Sequence, residues 1–149
     1  MKIFLFKSEL WLPQDRKDIF AFFADAGNLQ ILTPPWLNFE ILTPRPIVMR
    51  VGAVIDYRLK IRGFPVAWQT EIRQWQPPFR FLDRQIKGPY RQWHHEHRFE
   101  TKDGGTLCSD EVHYAVPGGW LVNLLVVRHD VKRIFNYRRQ KLIEIFKPK

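Results

Sequence analysis

In Trp93-His94-His95-Glu96-His97-Arg98-Phe99, histidines repeat at the spacing of a β-strand. Alternate residues of a strand share a face, so Trp93, His95, His97 and Phe99 point one way and His94, Glu96 and Arg98 the other. Two imidazoles among aromatic rings suit metal binding, proton transfer or the polar end of an apolar pocket. The turn Lys102-Asp103-Gly104-Gly105 and a second strand ending at Tyr114 follow. Pairing Thr101 with Thr106 across that turn sets Phe99 opposite Cys108, His97 opposite Asp110, His95 opposite Val112 and Trp93 opposite Tyr114. Upstream, closing the Gly88-Pro89-Tyr90 loop by pairing Lys87 with Arg91 puts Asp83 opposite His95 and Gln85 opposite Trp93. The expectation is two hydrogen-bonded pairs, Asp83–His95 and His97–Asp110, rimmed by Tyr57, Trp68, Gln85, Trp93 and Tyr114.

Three uses fit such a cluster. The pairs can satisfy one another beneath the core, since buried polar groups need partners. They can form the polar end of an aromatic cavity and orient a ligand's carbonyl, hydroxyl or carboxylate. They can also act as acid and base, a histidine held in one tautomer by its aspartate; the catalytic candidates are then His97, Asp110, His95 and Asp83. Two histidines and a carboxylate also make a metal set. A histidine facing a carboxylate is more often hydrogen-bonded than metallated, so no metal is expected, and no cofactor. The chain has no nucleophile elbow, phosphate-cradling glycine loop or Cys-x-x-Cys motif.

The elements that must position these residues are legible in the periodicity. Residues 2–12 alternate with apolar residues on both faces, predicting a strand covered on at least part of both sides. Pro13 stops it, and Gln14 to Ala24 carries Ile19, Phe20 and Phe23 on one helical stripe. Asn28 to Leu32 reads as a second short helix, cut by Thr33-Pro34-Pro35. Strands follow: a short one at Phe39–Leu42, and one with Ile55, Tyr57, Leu59 and Ile61 on one face. The next places Val66, Trp68, Thr70, Ile72 and Gln74 against Glu71, Arg73 and Trp75, and a fourth carries Phe81, Asp83 and Gln85. Outward charges such as Glu71 and Arg84 read as solvated cross-strand pairs. Short connections predict an antiparallel meander. Trp120 to Phe146 places apolar residues at 120, 121, 124, 125, 131, 134, 135, 142 and 145, a helix about 40 Å long. Lys132, Arg133, Arg139 and Lys141 lie on its other face, and packing on the sheet is favoured over lying on a membrane.

Composition limits the partners. A chain of 149 residues, 45% hydrophobic and 15% aromatic, supports one domain (1–149) with a substantial core. The single Cys108 excludes an internal disulfide and reads as a buried, inert thiol. No apolar run is long enough to span a bilayer, and the N-terminal apolar stretch is too short for a signal peptide, so a cytoplasmic location is expected. The net charge of +9 raises the prospect of an anionic partner, yet no Lys/Arg block of five or more occurs. No sequence-specific nucleic acid is expected, a membrane surface is disfavoured, and no oligomeric state is implied.

The element order is β-α-α-β(6)-α, an α+β architecture with a curved antiparallel sheet wrapped around a long C-terminal helix. It resembles the START-like (SRPBCC) superfamily and its helix-grip fold. The texture is similar as well: Asn28-Leu29-Gln30-Ile31-Leu32-Thr33-Pro34, Ile55-x-Tyr57, Trp68…Ile72…Trp75-x-Pro77-Pro78, Phe81-x-Asp83-x-Gln85-x-x-Gly88-Pro89-Tyr90, Trp93-x-His95-x-His97-x-Phe99 and Asp110-x-Val112-x-Tyr114. These resemble the bacterial polyketide cyclase or dehydrase-like branch. The resemblance implies a hydrophobic or amphipathic small molecule, such as a lipid or polyketide, held between sheet and helix. Binding is favoured, with a cyclase or dehydrase using the His–Asp network as the alternative. A surface-binding module using the basic C-terminal helix is the third reading.

Overall fold

The structure, a computed structural model, describes residues 1–147. Strands β1 (Phe4–Leu12), β2 (Glu40–Ile41), β3 (Val54–Ile61), β4 (Phe64–Gln76), β5 (Arg80–Lys87), β6 (Gln92–Lys102) and β7 (Gly105–Ala115) form one antiparallel sheet. Its order, β1-β7-β6-β5-β4-β3-β2, is a meander from β2 to β7 with β1 returning to pair with β7. Helices α1 (Arg16–Ala24) and α2 (Asn28–Leu32) and a 3₁₀ turn at Pro35–Leu37 separate β1 from β2. After β7 come α3 (Gly119–Val122), a π turn (Asn123–Val127) and α4 (Arg128–Ile145), one continuous helical segment. The observed order is the predicted β-α-α-β(6)-α.

The β6–β7 hairpin has the expected register, including Thr101 opposite Thr106 and His97 opposite Asp110. It closes through Asp103-Gly104, with φ of 48° and 74°, the two left-handed residues that a tight hairpin turn requires. Two bulges in the β4–β5 ladder, between Gln69 and Thr70 and between Ile72 and Gln74, break strict alternation. The second turns Trp75 inward against Phe20, ring centroids 5.1 Å apart, and reverses its expected outward placement. Gln74 is left bonded to Arg80 instead. Cover on the two faces of β1 is uneven: Leu12 is buried and Trp11, whose indole N–H donates to Lys102 O at 2.8 Å, is half-exposed, while Ile3 and Leu5 face solvent. Among the described residues no helix crosses the convex face of the sheet.

Helix α4 lies across the concave face. Val131 and Phe135 pack on Val112 and Tyr114, and Leu142 joins Phe20, Phe99 and Cys108. The expected apolar stripe does not continue upstream. In a regular helix Leu124, seven residues before the fully buried Val131, would share its face. The π turn inserts one extra residue and rotates Asn123 inward instead. The Tyr114 hydroxyl donates to Asn123 Oδ1 at 2.7 Å and holds it there. Trp120, Leu121, Leu124 and Leu125 consequently face solvent. Tyr114→Phe leaves the buried Asn123 amide without its donor and should cost about 1–2 kcal/mol in urea unfolding.

Candidate functional site

The concave face of the sheet, α1, α2, the 3₁₀ turn and α4 enclose a cavity of about 500 Å³. Most of its wall is apolar or aromatic: Phe23, Leu29, Leu37, Ile55, Leu59, Trp68, Ile72 and Phe135 contribute to it. This follows from the pleat, because the clean alternation of β3 sends Ile55, Tyr57, Leu59 and Ile61 to one side. One wall carries a cluster of ionisable groups, where Asp83, His95, His97 and Arg138 border the cavity and Asp110 lies behind them.

The backbone register places Asp83 opposite His95 and Asp110 opposite His97, as expected. The side chains pair differently. His95 Nε2 meets Asp110 Oδ1 at 2.7 Å, and His97 Nε2 meets Asp83 Oδ2 at 2.7 Å. The directly opposite His97 Nδ1 and Asp110 Oδ1 stand 3.5 Å apart. The expected pairs Asp83–His95 and His97–Asp110 are therefore exchanged. Each histidine has its carboxylate opposite on one neighbouring strand and an apolar residue opposite on the other: Phe81 stacks on the His97 ring at 4.0 Å, and Val112 sits across from His95. The two imidazoles stack on each other at 3.7 Å. Their outer nitrogens then reach the diagonal carboxylates, a distance long side chains span.

Arg138 completes the cluster and is absent from the sequence-based candidates. It is 8% exposed, with Nη2 3.4 Å from His97 Nδ1 and 3.6 Å from Asp110 Oδ1. Its guanidinium also lies 5.1 Å from the Phe23 ring centroid. The signal was in the helix: position 138 falls three residues after Phe135 and four before Leu142, on the buried stripe. Burial and the neighbouring His95 outweigh Asp83 and hold His97 down at about 4, so its imidazole is neutral at pH 7. Its Nε2–H donates to Asp83 and its Nδ1 accepts from Arg138, which fixes the tautomer. Burial pushes both carboxyls up, but the opposing contacts prevail and each is held below its ordinary value. Arg138 and the His95 hydrogen bond lead for Asp110, and the His97 hydrogen bond leads for Asp83.

Of the other expected residues, Tyr57, Trp68 and Trp93 line the cavity. The Trp68 indole N–H donates to Thr70 Oγ1 at 3.0 Å, and burial raises the Tyr57 hydroxyl beside Thr70 and Asp83. Gln85 does not line it. The β5–β6 ladder ends at Arg84–His94 instead of running to Lys87–Arg91, and the Gln85 amide binds both backbone groups of Tyr90. Tyr114 is kept out by its bond to Asn123, and Asp110 by the histidines in front of it. Cys108 is buried, its thiol pushed up to about 12 chiefly by burial. Arg84 and Glu71 make the expected outward pair at 2.9 Å.

At the cavity mouth Arg62, in the β3–β4 turn, reaches Asp130 of α4 at 2.8 Å. The Arg133 guanidinium covers the Trp36 ring at 4.3 Å. Asp83, His95 and His97 offer one ligand atom each within 4.8 Å of one another. Both Nε2 atoms are engaged by carboxylates, and Arg138 brings positive charge to the same place, so this donor set suits hydrogen bonding rather than a cation.

A curved antiparallel sheet gripping a long C-terminal helix, with a cavity between them, defines a helix-grip protein of the START-like (SRPBCC) class. The chain belongs to the family described as polyketide cyclase/dehydrase and lipid transport, whose model matches residues 12–143. No curated protein sequence matches it. Among solved structures it is similar to protein CV1439 from Chromobacterium violaceum, at 13% identity and a TM-score of 0.76 over 98% of this chain and 99% of that one. It is also similar to the major latex-like protein 151 of Panax ginseng, at 12% identity and a TM-score of 0.71 over 98% and 99%. Ara h 8.0201 aligns at 17% identity and a TM-score of 0.68 over 96% and 99%. At these identities the likeness is one of fold.

Proposed function

We propose that this protein binds a hydrophobic or amphipathic small molecule in the cavity between the sheet and α4. One observation carries the reading: about 500 Å³ of space with largely apolar walls and a hydrogen-bonding cluster of Asp83, His95, His97, Tyr57 and Thr70 on one side. Small-molecule sites span roughly 300–1,000 Å³ with this division of labour. The aromatic walls, Trp68 and Trp93 foremost, take up the apolar body. The polar wall orients one carbonyl or hydroxyl of the ligand. The family's description, which pairs cyclase and dehydrase with lipid transport, agrees with such a ligand. A cytoplasmic location fits the free, buried Cys108, which needs no oxidising compartment.

The test is uptake of 8-anilinonaphthalene-1-sulfonate and of palmitate by the purified protein, with native mass spectrometry for any co-purified molecule. Ile134 of α4 lines the cavity, and Ile134→Trp fills part of it. Uptake should fall at least about tenfold, the loss of roughly one buried side chain's worth of contact. Unchanged uptake in the variant, or none by the parent protein, defeats the reading.

A catalytic form of the same reading has one specific support. Arg138 and Asp83 engage both nitrogens of His97, whereas among the described residues His95 Nδ1 has no hydrogen-bond partner and its ring borders the cavity. In a cyclase or dehydrase His95, oriented by Asp110, is then the acid–base group and His97 its support. His95→Gln should abolish turnover of an enolisable substrate while leaving uptake weakened but measurable.

A further inference from the structure

We propose that the exposed face of α3 and the π turn, together with the start of β1, docks on an anionic phospholipid bilayer. Four apolar side chains stand in water on two adjacent turns: Trp120 at 60% exposure, Leu121 at 49%, Leu124 at 44% and Leu125 at 65%. Leu5 of β1, 52% exposed, lines the same groove as Trp120 and Leu124, so the patch runs from helix to strand. A continuous apolar surface of this kind marks an interaction site on a soluble fold. It arises from a specific device. The π turn trades Leu124 for Asn123 on the buried face, and the Tyr114–Asn123 bond holds the exchange in place. A regular helix would have buried Leu124 above Val131.

Charge identifies the occupant. Among the described residues the groove beside the patch is bordered by Lys2, Arg128 and Lys132 and by no carboxylate. Apolar residues with an interfacial tryptophan, rimmed by cations, match an anionic bilayer, where the rings and leucines enter the acyl boundary and the ammonium and guanidinium groups meet the phosphates. A second copy of this chain would set the same three cations against their equivalents across an isologous contact, on a molecule already carrying +9.

The experiment uses the full chain with vesicles of equal parts phosphatidylcholine and phosphatidylglycerol, and vesicles of phosphatidylcholine alone. Sedimentation measures binding, and Trp120 emission reports insertion. The protein should bind the anionic vesicles, shift its emission to the blue, and lose affinity as salt is added. Leu125→Asp and the double variant Arg128→Glu/Lys132→Glu should each weaken binding by about tenfold or more while keeping the circular dichroism of the parent. Trp120→Phe should bind with most of the blue shift gone. Absence of binding at low ionic strength overturns the proposal. So does equal binding by Leu125→Asp, which would mean that net charge alone adsorbs the protein. A concentration-dependent dimer abolished by Leu125→Asp would assign the patch to a second copy and also overturn it.

Discussion

Arg138→Met should lower the unfolding free energy at pH 7.5 by about 3–5 kcal/mol, read from urea denaturation. The buried wall holds two carboxylates depressed below their usual range, neutral His97, and one guanidinium. Methionine keeps much of the arginine's volume, so packing against Phe23 and Phe135 is largely retained. What disappears is the positive charge 3.6 Å from Asp110 and the donor to His97 Nδ1. A buried charge stripped of its partner costs far more than the intact pair contributes. Arg138 is also one of the groups that holds His97 down. In the variant an imidazole takes up a proton more readily and replaces the missing charge. The penalty should therefore shrink as the pH is lowered toward 6. A loss below about 1 kcal/mol, or a penalty that does not change with pH, would show that Arg138 does not neutralise this wall.

For the unaltered protein, stability should fall as the pH drops from about 6.5 to about 4. His97 takes up a proton near 6.5 when unfolded and near 4 when folded. Between those values the unfolded state binds more protons, so stability rises with pH there. It is fully present above 6.5 and is progressively lost below. The full window is worth about 3 kcal/mol at roughly 1.4 kcal/mol for each pH unit. Asp83 and Asp110 act in a separate window. Their folded values are depressed, so their contribution is present above the unfolded carboxylate range and lost as pH falls through the folded values, below about 4. His94 is lowered too, by burial first, and adds in the same direction as His97. His97→Gln, whose amide can still donate to Asp83, should flatten most of the slope between pH 6.5 and 4. An unchanged slope in that variant would remove His97 as its source.

The strand register was readable because side-chain alternation and glycine turns are local rules. Thr101–Thr106 and its neighbours needed only the Asp103-Gly104 turn and the period of two. Choice of hydrogen-bond partner was not readable in the same way. Asp83 and Asp110 each have a directly opposite and a diagonal histidine within reach, and the stacking of Phe81, His97 and His95 decides between them. Gln85 illustrates the same limit: whether a strand residue faces a cavity or ties down a loop depends on where its ladder ends.

By itself the sequence determined the element order, the meander, the aromatic wall and the place of the histidines on it, since each follows from periodicity and turn chemistry along the chain. It also placed Lys132, Arg133, Arg139 and Lys141 away from the helix stripe. The tertiary structure alone decided three things. It set the crossed pairing of the two histidines, the burial of Arg138 against them, and the π turn that puts Asn123 inside and Leu124 outside. Each depends on contacts between residues far apart in the chain, such as Arg138 with His97 and Asp110, or on a one-residue slip against the sheet. No periodicity encodes either.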